Sequence, residues 1–126
     1  MDITPLIRAD RQIIQSYNTG KFRISGTIYE SAVIVFPDRV ENWNVNPDKA
    51  VLEADDFAQI MPHADDLDIV LFGGGTQMQF LKSAFKEPFH RKKIAVEPMD
   101  TGAACRTYNV LLAEGRRVVA ALRPVL

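Results

Sequence analysis

The chain has 126 residues, of which 47% are hydrophobic and 25% charged, with 15 Lys plus Arg against 16 Asp plus Glu for a formal net charge of −1. This is the profile of one globular domain long enough to bury a core, and it excludes a disordered or fibrous chain. The balanced charge excludes a global basic field for nucleic acid or anionic membrane, and the single cysteine, Cys105, excludes an internal disulfide and a multi-cysteine metal site.

No apolar run of signal-peptide length follows Met1-Asp2. The longest apolar stretches, Ala32–Phe36 and Ile69–Phe72, fall far short of the roughly 20 residues of a spanning helix. A soluble cytoplasmic protein is expected.

Residues 13–35 read as an antiparallel meander. Ile13–Tyr17 and Phe22–Ile24 are short β-prone runs around the turn Asn18-Thr19-Gly20. Phe22 and Ile24 alternate with Lys21, Arg23 and Ser25, the pattern of a half-buried strand. Ser31–Phe36 is continuously apolar and should be more deeply buried. Val40–Val45 alternates again and carries Trp43, expected in the core or lining a cleft. Asp55 or Asp56 should cap a short helix to about Met61, ended by Pro62.

The rhythm then becomes α/β. Asp68–Phe72 is a strand running into Gly73-Gly74-Gly75. Thr76–Lys86 reads as a helix, because Met78, Leu81 and Phe85 share one helical face. Lys93–Val96 is a strand, Asp100–Glu114 a helix capped by Asp100 or Thr101, and Val118–Leu122 a final strand. Three strands joined by helices should be parallel with right-handed crossovers. The fold class is therefore α/β: a single domain with a central mixed β-sheet, an N-terminal β-meander and a C-terminal βαβαβ unit.

The glycine turn is the most suggestive motif. A glycine loop opening a helix is a ready anion site, and Gly73 and Gly75 with Glu97 at the end of the next strand mimic part of a dinucleotide fingerprint. Met78 occupies the third glycine position and no P-loop lysine follows Gly75, so a tight structural turn competes with this reading. Parallel strands put Gly73–Thr76 and Glu97–Thr101 on one sheet edge. The candidate anion-binding set is Gly73, Gly74, Gly75, Thr76, Glu97, Asp100, Thr101 and Arg106, with an Arg106–Glu97 pair as a structural alternative.

Asp100-Thr101-Gly102 spells the aspartic-protease triplet, but one copy opening a helix is better read as capping. Cys105 reads as a buried small apolar residue, since no positioned base accompanies it. His63-Ala64-Asp65-Asp66 reads as a solvated acidic turn. No catalytic residue, metal or cofactor is assigned. Residues 48–68 carry seven acids and one lysine, whereas residues 82–93 carry five cations and one acid. Lys86, Arg91, Lys92 and Lys93 are the candidate partner-binding residues, steering an oppositely charged surface, against the competing reading of two solvated loops whose charges nearly cancel.

The run Glu97-Pro98-Met99-Asp100-Thr101-Gly102-Ala103-Ala104-Cys105-Arg106-Thr107-Tyr108-Asn109-Val110-Leu111, followed by Glu114-Gly115-Arg116, resembles the signature of the Mth938-like domain family. Gly20 with Phe22-Arg23-Ile24, Trp43 and the strand into Gly73-Gly74-Gly75 extend the likeness from about Ile13 to Leu122. The family consists of small proteins of unassigned biochemistry and includes a mitochondrial assembly factor of respiratory complex I. The resemblance implies a three-layer fold, with helices on one side of the sheet and extra β plus a helix on the other. It also implies a non-catalytic interaction or assembly role with a protein partner, a respiratory membrane complex among the candidates, and transfers no catalytic residue. A phosphate- or nucleotide-binding protein using the Gly73–Thr76 cleft is the alternative, and a homo-oligomerising structural domain the third reading. Neither nucleic-acid binding nor membrane insertion is expected.

Overall fold

The computed structural model describes residues 10–46 and 49–126. In chain order the strands are β1 (Ile14–Asn18), β2 (Lys21–Ile24), β3 (Thr27–Tyr29), β4 (Val33–Val35), β5 (Val40–Asn42), β6 (Ile69–Gly73), β7 (Ala95–Met99) and β8 (Val118–Leu122). The helices are α1 (Ser83–Arg91) and α2 (Thr101–Ala113), and two 3-10 turns cover Ala54–Phe57 and Met61–Asp66.

β1, β2 and β3 form an antiparallel meander. Ile24 pairs with Thr27, so Ser25-Gly26 is a two-residue hairpin loop with positive φ at both positions. That geometry matches the twist of the strands it joins. β3 was not expected from the sequence; it is three residues long and its Ile28 is exposed.

The other five strands form one mixed sheet in the order β5-β4-β8-β6-β7. β6 runs parallel to both β7 and β8, while β4 is antiparallel to β8 and β5. The runs of β4, β6 and β8 have no polar face because the sheet is covered twice. Ile34, Val70, Phe72, Val119 and Ala121 pack under Trp43, Phe57, Ile60, Phe85 and Phe89, the layer of α1 and the 3-10 turns. Val33, Val35, Leu71, Val118, Ala120 and Leu122 alternate to the opposite face, under Ile14, Phe22 and Ile24 of the meander and Ala104, Cys105 and Tyr108 of α2. These are the three layers implied by the resemblance. α1 and α2 lie on opposite faces because the chain steps outward from β6 to β7 and then back past β6 to β8. Two right-handed crossovers in opposite directions require opposite faces.

Two expected elements differ. The helix read over Thr76–Lys86 begins only at Ser83, with Lys82 as its N-cap, and residues 76–82 are irregular. The expected helix near 55–61 is replaced by the two 3-10 turns, the first closed by a reciprocal box in which Glu53 N donates to Asp56 Oδ2 at 2.7 Å. Pro62 opens the second turn instead of ending a helix. Trp43 is a core residue, with its ring edge-on to Phe72 and its indole N–H donating to Asp56 O at 2.6 Å.

β7 is an edge strand. Ala95 N and Met99 O bond toward β6, so by alternation Val96 and Pro98 face the open side. Proline offers no donor there, which blunts the edge against strand addition.

Candidate functional site

The carboxyl ends of β6 and β7 and the exit of β8 meet on one edge, as the parallel arrangement requires. Gly74 N donates to Met99 O at 3.0 Å, Gly75 N to Thr101 Oγ1 at 2.8 Å, and Thr101 N returns to Gly75 O at 2.9 Å. Thr101 Oγ1 in turn donates to Arg123 O at 2.7 Å, and Arg123 N to Gly73 O at 2.9 Å. Thr101 is fully buried and acts as the keystone of three strand ends. At Gly73 a Cβ would sit 2.9 Å from Leu122 Cδ2 and 3.0 Å from Thr101 Cα, so the turn closes only without a side chain.

This geometry alters the anion reading. The helix whose N-terminus was to face the ligand starts at Ser83, well beyond Thr76. The N–H groups of Gly74 and Gly75 are already engaged inside the chain. Glu97 is exposed in the middle of β7, opposite Leu71, and does not end the strand. Asp100 caps α2 by accepting from Ala103 N at 2.8 Å, the capping role expected of it. Gly73–Thr76 and Thr101 are therefore brought together, but as a brace between strands and not as a helix-N-terminal cradle.

A cleft of about 330 Å³ does lie beside the brace, lined by Gly74–Gln79, Arg123, Pro124 and Leu126. Arg123 is 5% exposed. Its Nη2 donates to Lys49 O at 2.7 Å and its Nη1 to Gln79 Oε1 at 3.2 Å, tying the segments around 49 and 79 to the end of β8. Sequence reasoning missed Arg123, which follows a strand and has no local pattern. A second cleft, of about 290 Å³, is lined by Arg11, Phe36, Arg39, His63, Asp66 and Arg117 among others. There the Arg39 guanidinium lies 3.9 Å over the Phe36 ring, with Nη2 2.9 Å from His63 Nε2. Arg39 Nε donates to Glu41 at 2.9 Å and holds that carboxyl below the usual range. The acidic turn expected at His63–Asp66 is present and solvated, with Asp65 and Asp66 exposed; His63 faces Arg39, and Asp65 faces Lys92.

The signature helix serves the architecture. Asn109 Nδ2 donates to Ile14 O at 2.7 Å and its Oδ1 accepts from Ile14 N at 3.0 Å, so one amide side chain replaces a strand neighbour for β1. Tyr108 is fully buried and its hydroxyl donates toward Gln12 O at 3.1 Å and Phe36 O at 3.3 Å; burial pushes its pKa up. Burial likewise pushes the Cys105 thiol up to about 12, outweighing the neighbouring Arg106. Arg106 donates to Tyr17 Oη at 3.3 Å, and the alternative Arg106–Glu97 pair is not formed.

The basic segment is dispersed along and beyond α1. Arg91 pairs with Glu87 at 2.8 Å and Lys92 with Asp65 at 3.4 Å, which joins the basic and acidic segments at one point. Lys86 is half-buried and Lys93 exposed at φ 61°. Among the described residues, no helix is long and apolar enough to cross a membrane.

Fold and site together define a small three-layer α/β domain whose distinctive polar side chains brace its own sheet edge and meander. The chain belongs to the family described as protein of unknown function (DUF498/DUF598), whose model matches residues 14–123. It is 33% identical over 112 residues to an uncharacterised protein of Rhodobacter capsulatus, covering 89% of this chain and 84% of that one. It is 34% identical over 116 residues to the human NADH dehydrogenase [ubiquinone] 1 alpha subcomplex assembly factor 3, covering 92% of this chain and 62% of that one. The chain thus spans less than two thirds of the length of the human assembly factor. A solution NMR structure of a Bordetella pertussis protein described as an Mth938-like domain superposes with a TM-score of 0.80 at 28% identity, covering 98% of this chain and 92% of that one.

Proposed function

We propose that this chain is a non-catalytic assembly factor that acts in the cytoplasm by docking on protein subunits of a respiratory NADH dehydrogenase. The observation that carries the reading is the 34% identity, across 92% of this chain, to a human protein named as an assembly factor of that enzyme. The engagement of Thr101, Cys105, Tyr108 and Asn109 in holding the fold supports it, because these residues have no free chemistry to offer a substrate. The basic segment, Lys86 with Arg91, Lys92 and Lys93, is the proposed steering surface toward an acidic partner.

The test is affinity purification of the tagged chain from its native cells after mild cross-linking, with the triple variant Arg91→Glu, Lys92→Glu, Lys93→Glu alongside. Respiratory NADH dehydrogenase subunits should co-purify with the wild type and be depleted with the variant. A wild-type preparation without such subunits overturns the assembly reading, and equal recovery in the variant overturns the steering surface.

A further inference from the structure

We infer that Met78–Lys82 is a strand-like recognition segment that pairs with an extended, apolar and acidic stretch of a partner polypeptide. The inference rests on the assembly reading for there being such a partner, while its geometry stands alone.

The first observation is the backbone. No N–H or C=O of Gln77–Leu81 takes a hydrogen-bond partner among the described residues. Main-chain groups left over in a surface segment are a template for another main chain, which alone supplies donors and acceptors at matching spacing. The second is alternation. Met78 and Phe80 are 45% and 86% exposed, and Lys82 is also exposed. Between them, Gln79 is held inward by Arg123 and Leu81 packs on the core layer of α1. That two-residue period is the signature of a strand with one face anchored and one face offered. Gly74 is the backstop: a Cβ there would sit 3.0 Å from Gln77 O and 3.1 Å from Gln79 N, so that edge of the segment rests on glycine backbone and, by alternation, the main-chain groups of Met78 and Phe80 are the ones offered to a partner.

Charge selects the partner. Thr76–Lys86 carries Lys82 and Lys86 and no acid, and neither lysine forms an ion pair among the described residues. Two copies paired along this segment would bring four of its lysines and none of its own carboxylates together, which disfavours self-pairing. A lipid surface would bury Met78 and Phe80 but leave the main-chain groups unsatisfied in hydrocarbon. A polypeptide with alternating apolar side chains and a carboxylate opposite Lys82 satisfies all three features.

The experiment pans a phage-displayed random-peptide library on the full chain and measures the selected peptide by titration and amide hydrogen exchange. The selected consensus should alternate apolar residues and include Asp or Glu. The synthesised peptide should slow exchange of the Met78 and Phe80 amides, and Phe80→Asp and Lys82→Glu should each weaken it about tenfold or more, as a central aromatic anchor and its charge partner do. Because Phe80 is 86% exposed, Phe80→Asp should melt with the wild type. Absence of a consensus, a consensus without acid, or unchanged affinity in Phe80→Asp overturns the proposal. So does binding to phosphatidylglycerol vesicles, or a concentration-dependent dimer, that Phe80→Asp abolishes. If NADH dehydrogenase subunits co-purify equally with wild type and Phe80→Asp, the segment is wrong and the assembly reading stands. If wild type captures no subunits while the peptide binds as described, the assembly reading falls and the segment stands.

Discussion

Replacing Thr101 with Val keeps the shape of the side chain and removes its hydroxyl. Thr101 is 0% exposed, and the hydroxyl serves Gly75 N at 2.8 Å and Arg123 O at 2.7 Å. Both of those residues are buried, so neither group gains water when the hydroxyl goes. A buried donor or acceptor left without its partner costs about 1–3 kcal/mol. Two of them, offset slightly by the added methyl, give about 2–5 kcal/mol in all. For a chain of this length, about 4 °C of Tm goes with each kcal/mol, so the melt should fall by about 8–20 °C. Thr101→Ser keeps the hydroxyl and loses one buried methyl, about 1 kcal/mol. Urea unfolding of the three proteins under identical conditions separates the two effects. A Val variant within about 1 kcal/mol of wild type, or a Ser variant worse than Val, would refute the assignment of Thr101 as the keystone of the sheet edge.

Asn109→Leu removes both bonds to Ile14 and should cost about 1–3 kcal/mol, with exchange accelerated in β1 well before β8; uniform acceleration would show that the amide does not specifically anchor the meander. The Arg117 side chain, and then its backbone N–H, hold the Asp68 carboxyl below the usual carboxylate range. Its folded value lies below its unfolded value, so the pair's contribution is complete above about pH 4 and is lost as pH falls through the folded value. Arg117→Met should therefore raise the Asp68 midpoint in a carbon-detected NMR titration and flatten the acid limb of the stability profile; an unmoved midpoint refutes the pairing. With its thiol pushed up to about 12 by burial, Cys105 should react with iodoacetamide at pH 8 only as fast as the chain opens, so labelling should accelerate in denaturant in step with unfolding. Rapid labelling of the native protein would contradict the buried assignment.

The parallel strands were legible because Val118–Leu122 and Ile69–Phe72 are short apolar runs bounded by glycine, proline or charged residues, the pattern of a doubly covered strand. The cap at Asp100 was legible because capping is local chemistry. Met78, Leu81 and Phe85 fit one helical face, yet the helix begins only at Ser83 and Gln79 is drawn inward by Arg123 from the far end of β8. Periodicity within a window cannot register a contact between positions 44 residues apart. The glycines were recognised as a turn, but their purpose depended on Leu122 and Thr101, which pack against Gly73 from other elements. Arg106, Tyr108 and Asn109 were singled out as a signature, and only the three-dimensional placement of Tyr17, Phe36 and Ile14 reveals what each one holds.

The place of β8 at the centre of the five-stranded sheet has a consequence for biosynthesis. β4 with β5, and β6 with β7, are made first, but the two pairs share no ladder with each other; both are joined only through β8. A nascent chain whose β8 is still inside the exit tunnel therefore displays two apolar strand edges, at Val33–Val35 and Ile69–Gly73, with nothing between them. Consolidation of this sheet must follow, not accompany, translation of its first seven strands, and until then the exposed edges are natural clients for a ribosome-associated chaperone.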